Sequence, residues 1–179
     1  MKHLVITLII TVFMTNISES QTFTLRSNDL GGQITNRQLG NAMGCKGDNI
    51  SPELHWENAP KETQAFAISV YDMDAPTGSG FWHWMVYNIP ASITLLKSDA
   101  GNFSGQDLPQ GAANGNNDAG APGYVGPCPP VGEVHRYIIT VFALKAPIQL
   151  EKNASPALTG MVINMNTIAK ASLLVYGQQ

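Results

Sequence analysis

Three long runs of strand-forming residues constrain the fold more than any other feature of this chain. Residues 65–71 form a nearly continuous apolar run, which is typical of a strand buried on both faces. Residues 81–89 and 136–144 are rich in aromatic and β-branched residues, and Pro90 stops the first of these two runs. Because the strands do not alternate with helices, a doubly wound parallel sheet is disfavoured. The pattern predicts a mainly β protein, a sandwich or barrel with Greek-key connections.

One helix is predicted late in the chain, over residues 155–170. Ser155 can cap this helix and Pro156 suits its first turn. Its apolar residues recur at helical spacing: Leu158, Met161, Val162, Met165, Ile168 and Ala169. Residues 172–176 are predicted to form a closing strand. The long Gly-, Pro- and Asn-rich stretch 101–127 has no periodicity, and we predict an ordered loop there because it leads directly into a candidate site.

The bulk composition indicates one globular domain and excludes one class of partner. The chain has 179 residues, of which 44% are hydrophobic and only 13% are charged, and its formal net charge is −3. That length suits one domain and is short for two. Because there is no surplus of basic residues, the electrostatic footprint of a nucleic-acid-binding protein is missing.

The first 20 residues have the pattern of a secretory signal peptide. Lys2 and His3 precede an apolar run over residues 4–14, and Ser18 and Ser20 occupy the −3 and −1 positions if cleavage precedes Gln21. The run is too short to span a bilayer unaided, although an uncleaved anchor or a buried first element remains an alternative. We predict a domain over residues 21–179 that is periplasmic or secreted, with no transmembrane segment after cleavage.

Two cysteines, Cys45 and Cys128, both lie in predicted loops. In an exported protein they could form a disulfide, which would stabilise the fold by on the order of 4–5 kcal/mol in the chain-entropy model. Two free, buried thiols are the alternative. We favour the disulfide because neither cysteine lies on a strand.

Carboxylates and histidines cluster at the ends of the predicted strands. Asp72 and Asp74 follow the buried run, while His83 and His135 stand at the starts of the next two long strands. We expect Asp74 to pair with a buried Arg136 guanidinium, which leaves Asp72 free for a pocket. Alternatively, both carboxylates simply cap a turn. The third histidine of residues 21–179, His55, is expected to be structural.

Strand periodicity and loop chemistry refine this prediction. In a regular strand Trp82 and Trp84 would share one face, and His83 would lie on the other together with Met85. Prolines stiffen the loop around Cys128, whose backbone N–H groups could face an anion. Histidines, backbone amides and a tyrosine hydroxyl together suit a phosphate-sized acceptor site. No recognised nucleophile motif, P-loop or metalloprotease motif is present in the sequence.

These segments resemble the phosphatidylethanolamine-binding protein family, also called the Raf kinase inhibitor protein family, and in particular its bacterial Raf-kinase-inhibitor-like branch. The most specific matches are the Asp-x-Asp-Ala-Pro pattern at 72–76 and the GPCPPxGxxHRY pattern at 126–137. The similarity runs through nearly the whole chain after residue 20, at 49–52 with Leu54 and Trp56, 72–78, 82–84, 88–90, 108–109, 111–112, 117–118, 123–124, 126–130 and 135–137.

The resemblance implies a Greek-key β-sandwich with a small surface cavity for phosphate-like or carboxylate anions, including phospholipid head groups in some relatives. It also implies a cis peptide bond at Pro76, which the tight turn there makes plausible. Met73 and Ala119 depart from the residues common in the family, and both could alter the rim of the cavity. The implied lining is Asp72, Ala75, Pro76, Trp82, His83, Cys128, Pro129, His135 and Tyr137.

Three functional hypotheses follow. The first is a non-enzymatic exported protein that binds a small anion, phosphate or a phospho-head-group, without metal or cofactor. The second is an interaction module that binds a protein partner, as a kinase or protease inhibitor does. The third is an enzyme, in which two histidines and a carboxylate hold a metal ion or Asp72 and His83 act as acid and base. We favour the first.

Overall fold

Two antiparallel sheets and one helix account for the regular structure of residues 21–179, the part of the chain that the computed structural model describes. The predicted signal peptide, residues 1–20, lies outside the described residues. In chain order the elements are β1 (Thr24–Arg26), β2 (Leu54–Glu57), β3 (Ala65–Asp72), β4 (Phe81–Pro90), β5 (Leu95–Leu96), β6 (Ala113–Asn114), β7 (His135–Leu144), α1 (Pro156–Asn166) and β8 (Thr167–Gly177). Within residues 21–179, no helix combines the length and the apolar content needed to cross a membrane.

The larger sheet has the order β6-β4-β3-β7-β8 and faces a smaller sheet of order β1-β2-β5. The prediction of a mainly β fold with packed sheets is confirmed. Strand β3 lies in the middle of the larger sheet, with β4 and β7 as its neighbours. Its two faces contribute to two separate apolar clusters, and this explains why its sequence lacks the alternation of a half-exposed strand. Between the sheets, Trp56 packs edge-on against Phe66 with ring centroids 5.2 Å apart.

The helix is shorter than predicted. It spans Pro156–Asn166, begins with Ser155 accepting a hydrogen bond from the Leu158 N–H, and gives way at Thr167 to strand β8. The prediction of a helix to residue 170 is therefore wrong at its C-terminal end, and β8 begins five residues before the predicted strand. The cause is tertiary: β8 pairs with β7 along its whole length, and those hydrogen bonds outweigh local helical propensity.

The apolar stripe that predicted the helix faces mostly outward. The buried residues of α1 are Thr159 and Ile163, whereas Leu158, Met161 and Met165 are 43%, 54% and 68% exposed. Ile163 belongs to the cluster on the outer face of the larger sheet, with Ala65, Ala67, Met85, Phe142, Leu144 and Ile148. Ile163 is therefore the fully buried apolar residue through which the helix packs on the sheet, with the partly buried Val162 beside it.

Strand β4 contains a β-bulge at His83. Val70 and Tyr71 of β3 pair with Trp84 and Trp82, so His83 is an extra residue without a partner of its own. The prediction that the two tryptophans share a face is wrong for this reason. Trp84 is fully buried in the core between the sheets, whereas Trp82 packs with Met85 on the helix side.

The long loop after β5 is tied to the core by polar contacts. The Gly101 N–H donates to Ser51 Oγ over 2.8 Å, and the Tyr124 hydroxyl donates to the Gln38 carbonyl over 2.7 Å. Gly101 also approaches Trp84 so closely that a Cβ there would lie 2.8 Å from the indole ring. Only glycine fits this close approach of the loop to the core.

Replacing Ile163 with alanine should lower the free energy of unfolding by about 2–5 kcal/mol, because the change leaves a cavity under the helix. Met161→Ala is the matched control on the same helix, and it should change stability by no more than about 0.5 kcal/mol, since Met161 faces solvent. Urea denaturation followed by circular dichroism measures both. Equal losses for the two variants would contradict the helix orientation described above.

Candidate functional site

A pocket opens where the long strands begin and end. In the antiparallel sheet, the last residue of β3, Asp72, pairs with the first residue of β4, Phe81, and with Tyr137 near the start of β7. This register brings Asp72, His83 and His135, which belong to three separate sequence segments, to the same end of the sheet. The residues that line the pocket are Met43, Asp72, Ala75, Pro76, Thr77, Phe81, His83, Cys128, Pro130 and His135.

The Asp72 carboxylate lies at the centre of the site and is only 3% exposed. Its Oδ2 accepts a hydrogen bond from His135 Nδ1 over 2.7 Å and lies 4.0 Å from His83 Nε2, while its Oδ1 accepts the Asp74 N–H over 2.8 Å. Burial alone would raise the pKa of Asp72, but the two imidazoles and the Asp74 amide outweigh burial and lower the pKa. Asp72 is therefore ionised at neutral pH.

His135 is the partner that Asp72 holds most tightly. Its Nδ1 donates to Asp72, and its Nε2 lies 3.4 Å from Oε2 of the exposed Glu133. Burial would lower the pKa of the ring, but the hydrogen bond and the charge of Asp72 outweigh it, and the pKa of His135 is raised. The imidazolium form of His135 is thus stabilised beside the pocket.

His83 is oriented by its other ring nitrogen. Nδ1 lies 2.7 Å from the Val125 carbonyl oxygen, an acceptor only, so Nδ1 carries a proton and donates it. This leaves Nε2 on the side of Asp72 and the pocket. Nε2 can donate to a ligand only when the ring is doubly protonated.

Tyr137 packs behind the two imidazoles instead of lining the pocket. It is fully buried, and its ring centroid lies 5.5 Å from that of His83 and 6.4 Å from that of His135. Its hydroxyl has no hydrogen-bond partner among residues 21–179. Burial, together with the nearby Asp72 charge, raises the pKa of the phenol. Tyr137 therefore serves as a neutral, rigid support for both rings.

Six residues of the predicted lining meet at the pocket: Asp72, Ala75, Pro76, His83, Cys128 and His135. Three do not. The bulge turns Trp82 to the helix side, Tyr137 lies behind the histidines, and Pro129 is buried with its carbonyl accepting the Gln179 amide over 2.6 Å.

Sequence reasoning missed four lining residues, Met43, Thr77, Phe81 and Pro130. Phe81 could have been found, because it lies two residues before His83 at the start of the same strand, and its ring contacts that of His83 at 4.7 Å. Met43 comes from a distant loop. The signal for it was indirect: it lies two residues from Cys45, and Cys45 is linked to Cys128.

Asp74 forms a bidentate pair with Arg136. Its Oδ1 accepts from Nη2 over 2.6 Å and its Oδ2 from Nε over 2.9 Å, and the Arg136 backbone N–H also donates to Oδ2. These hydrogen bonds lower the pKa of Asp74 to about 2. The expectation of a buried guanidinium is wrong, because half of the Arg136 side chain is exposed. The pair fixes the turn after β3 without entering the pocket.

The turn from β3 to β4 does not use a cis proline. None of the peptide bonds of residues 21–179 is cis, so the cis bond expected at Pro76 is wrong. The chain reverses instead through Gly78 and Gly80, whose φ angles of 80° and 70° lie in the left-handed region that favours glycine.

The disulfide predicted between Cys45 and Cys128 is confirmed. The two Cα atoms are 5.7 Å apart, and the bond joins residues separated by 83 positions in sequence. Cys128 forms part of the pocket wall, so the disulfide belongs to the site as well as to the fold. His55 lies outside the pocket, where its Nδ1 contacts Glu53 Oε1 at 2.8 Å.

Among residues 21–179, no three histidine, cysteine, aspartate or glutamate side chains are grouped so that they could hold a metal ion.

Replacing Asp72 with asparagine should lower the pKa of His135, because the hydrogen-bonded negative charge that stabilises its imidazolium is removed. Glu133→Gln is the matched control, since it removes an exposed and more distant carboxylate and should lower this pKa less. NMR titration of the His135 ring measures both. An unchanged His135 pKa in Asp72→Asn would contradict the described pair.

The pair also predicts a pH dependence of stability. The lowered pKa of Asp72 stabilises the fold above the unfolded-state value of about 3.9, and this contribution is lost as the pH falls through the folded-state pKa. The raised pKa of His135 stabilises the fold below about 6.5, and this contribution is lost as the pH rises through the folded-state pKa. The contribution of the pair to the free energy of unfolding should therefore be largest between about pH 4 and 6.5. Urea denaturation across pH should show a flatter profile for Asp72→Asn than for the wild type.

Comparison with known proteins places this geometry in a family. Residues 26–177 match the family model described as phosphatidylethanolamine-binding protein. The UPF0098 protein YbcL of Escherichia coli K12 is 44% identical over 177 residues, which cover 97% of this chain and 96% of YbcL. The UPF0098 protein YbhB of the same organism is 44% identical over 152 residues, which cover 83% of this chain and 96% of YbhB.

Solved structures agree. The crystal structure of E. coli YbcL, described as a member of the mammalian PEBP family, superposes with a TM-score of 0.85 at 45% identity and covers 88% of this chain and 98% of YbcL. A homologue from Chlamydia trachomatis superposes with a TM-score of 0.70 at 27% identity and covers 88% of this chain and 97% of its own. The chain therefore belongs to the phosphatidylethanolamine-binding protein family.

Proposed function

We propose that this protein is a non-enzymatic, exported member of the family that binds a small phosphate-like anion or a phosphorylated head group in the described pocket. The observation that carries the proposal is the arrangement of two imidazoles around one buried carboxylate at the pocket wall. His135 supplies a stabilised positive charge, and His83 presents a free Nε2. No cofactor is needed for this role.

Charge balance at the site decides when an anion can bind. With both imidazoles protonated, His83, His135 and Asp72 sum to one positive charge; with one protonated they sum to zero; with neither they sum to one negative charge. Of these three states the first attracts an anion most strongly, so binding should weaken as the pH rises, and the exposed Glu133 carboxylate, 3.4 Å from His135 Nε2, reduces the attraction. A ligand that also carries an ammonium group would find its counter-charge in Asp72.

The size and lining of the pocket support a small ligand. Its volume is about 180 Å³, below the roughly 300–1,000 Å³ typical of pockets for drug-sized molecules. Phe81, Pro76 and Met43 give the remaining wall an apolar character. Because apolar walls exclude water, the charge of a bound anion would be less screened than at an open surface.

Two features support export. Disulfides persist in oxidising compartments, so the Cys45–Cys128 bond fits a periplasmic or secreted protein, as the signal-like N-terminal sequence does. Both cysteines of the sequence are joined in that bond, so the oxidised protein has no thiolate nucleophile at the pocket.

The proposal predicts saturable binding of inorganic phosphate that is stronger at pH 6 than at pH 8. Titration followed by the NMR signals of the His83 and His135 rings measures it. His83→Ala should weaken binding by about tenfold or more, since it removes a charge-assisted hydrogen bond. His55→Ala is the matched control, because it removes a histidine outside the pocket, and it should bind like the wild type.

Two results would count against this proposal. If neither ring signal moves up to tens of millimolar phosphate, the pocket does not bind this anion. If binding is equal at pH 6 and pH 8, the histidine charges do not drive it.

A further inference from the structure

The disulfide holds a short segment of chain at the mouth of the pocket. We define this segment, residues 41–46, as the lip. At its base, the Gly47 N–H donates to the Gly40 carbonyl and the Gly40 N–H donates to the Pro127 carbonyl, each over 2.8 Å. Between these points the lip projects outward, and its Met43 side chain lines the pocket although Met43 is 79% exposed.

Cys45 links the lip to the rest of the protein. Within the lip, the Cys45 N–H donates to the Ala42 carbonyl over 3.1 Å. This hydrogen bond forms a turn inside the lip and does not connect it to the rest of the protein. Two contacts join the lip to the loop that carries Cys128. One is the Cys45–Cys128 bond, and the other is a 3.6 Å contact between the Cys128 sulfur and the Met43 carbonyl oxygen. Gln179 Oε1 lies 3.4 Å from the Cys45 sulfur, which has no proton to donate in a disulfide.

The lip has an unfavourable backbone conformation. Met43 has a φ of 55°, in the left-handed region that a residue with a Cβ avoids, and Gly44 follows with a φ of 98°. Unfavourable backbone conformations persist only where the surroundings enforce them. The disulfide is the covalent contact that constrains this part of the chain, and Met43 itself has little buried surface.

We propose that thiol–disulfide exchange at Cys45–Cys128 regulates the anion pocket: reduction releases the lip and weakens anion binding. This inference rests on the proposed function and adds redox regulation to it. In the oxidised protein the lip is already ordered. In the reduced protein it must be ordered when the ligand binds, and the entropy lost lowers the affinity.

The exchange has a defined direction of attack. Cys45 is 6% exposed, whereas Cys128 is partly exposed and lines the pocket. A thiolate of a dithiol reductant would therefore attack the Cys128 sulfur; the protein S–S bond breaks, and Cys45 leaves as a thiolate that takes up a proton. The second thiol of the reductant then displaces Cys128 from the mixed disulfide. Two electrons pass to the protein, and the reductant leaves as a disulfide.

The rest of the pocket should survive reduction. The loop that carries Cys128 is also held by the Gly126 N–H, which donates to Asn49 Oδ1 over 2.7 Å, and by the Gly40–Pro127 hydrogen bond. The Asp72–His135 pair does not involve the lip. Reduction is thus expected to change affinity while the sheet edge that carries the histidines stays in place.

Linkage makes the effect reciprocal. If reduction weakens phosphate binding by some factor, bound phosphate must make the disulfide harder to reduce by the same factor. A bound anion would also lie beside Cys128, which lines the pocket, and would hinder attack on its sulfur from that side. The ligand therefore protects the bond that orders its own binding site.

The test is phosphate titration at pH 6 of three forms: oxidised protein, protein reduced with dithiothreitol, and Cys45→Ser/Cys128→Ser. We expect the dissociation constant to be at least about fivefold higher in the second and third forms, with the His83 and His135 ring signals of the ligand-free protein little changed. Adding reductant to the double-serine variant is the control and should have no effect.

Met43→Ala, which keeps the disulfide, covers the case in which the reduced forms do not fold. It should bind phosphate at least about twofold more weakly than the wild type, because it shortens the lip side chain at the pocket. Equal affinity of folded oxidised and reduced protein, or wild-type affinity of Met43→Ala if the reduced forms unfold, would overturn the inference. Absence of binding in the oxidised wild type would instead overturn the proposed function.

Discussion

The site depends on one buried carboxylate that two histidines share. Asp72 is ionised in a place where burial alone would favour its neutral form, and it remains so because His135, His83 and the Asp74 amide surround it. Such a charge is costly to bury without partners. The sheet register supplies those partners by aligning the end of β3 with the starts of β4 and β7. Strand order, histidine orientation and pocket charge are thus parts of one electrostatic arrangement.

Sequence reasoning could predict the strands and much of the site because both follow local patterns. The apolar run of β3, the carboxylates at its end and the histidines at the starts of β4 and β7 are all visible in the sequence. An antiparallel sheet with the observed register brings such strand ends to one edge. The pairing of Cys45 with Cys128 was predictable in kind from loop placement, although its geometry was not.

The errors have physical causes that a local pattern does not reveal. The helix ends early because β8 pairs with a strand more than twenty residues earlier in the chain. Trp82 leaves the pocket because a bulge changes the period of two on which the prediction relied. Met43 reaches the pocket from a loop that a long-range disulfide joins to Cys128. The first and the third of these errors involve contacts between segments that are distant in sequence, and the second involves a local irregularity in strand pairing.

The bulge at His83 shows that a binding site depends on the number of residues in a strand as well as on their types. A regular strand would direct alternate residues to opposite faces. The one extra residue lets His83 and Trp84, neighbours in sequence, both face the inner side of the sheet, the first toward Tyr137 and the second into the core. Losing His83 alone would leave the pairs Tyr71–Trp82 and Val70–Trp84 in place and would remove only the imidazole. The insertion of one residue into a strand can therefore add an imidazole to such a pocket while the residues on either side of it keep their partners and faces.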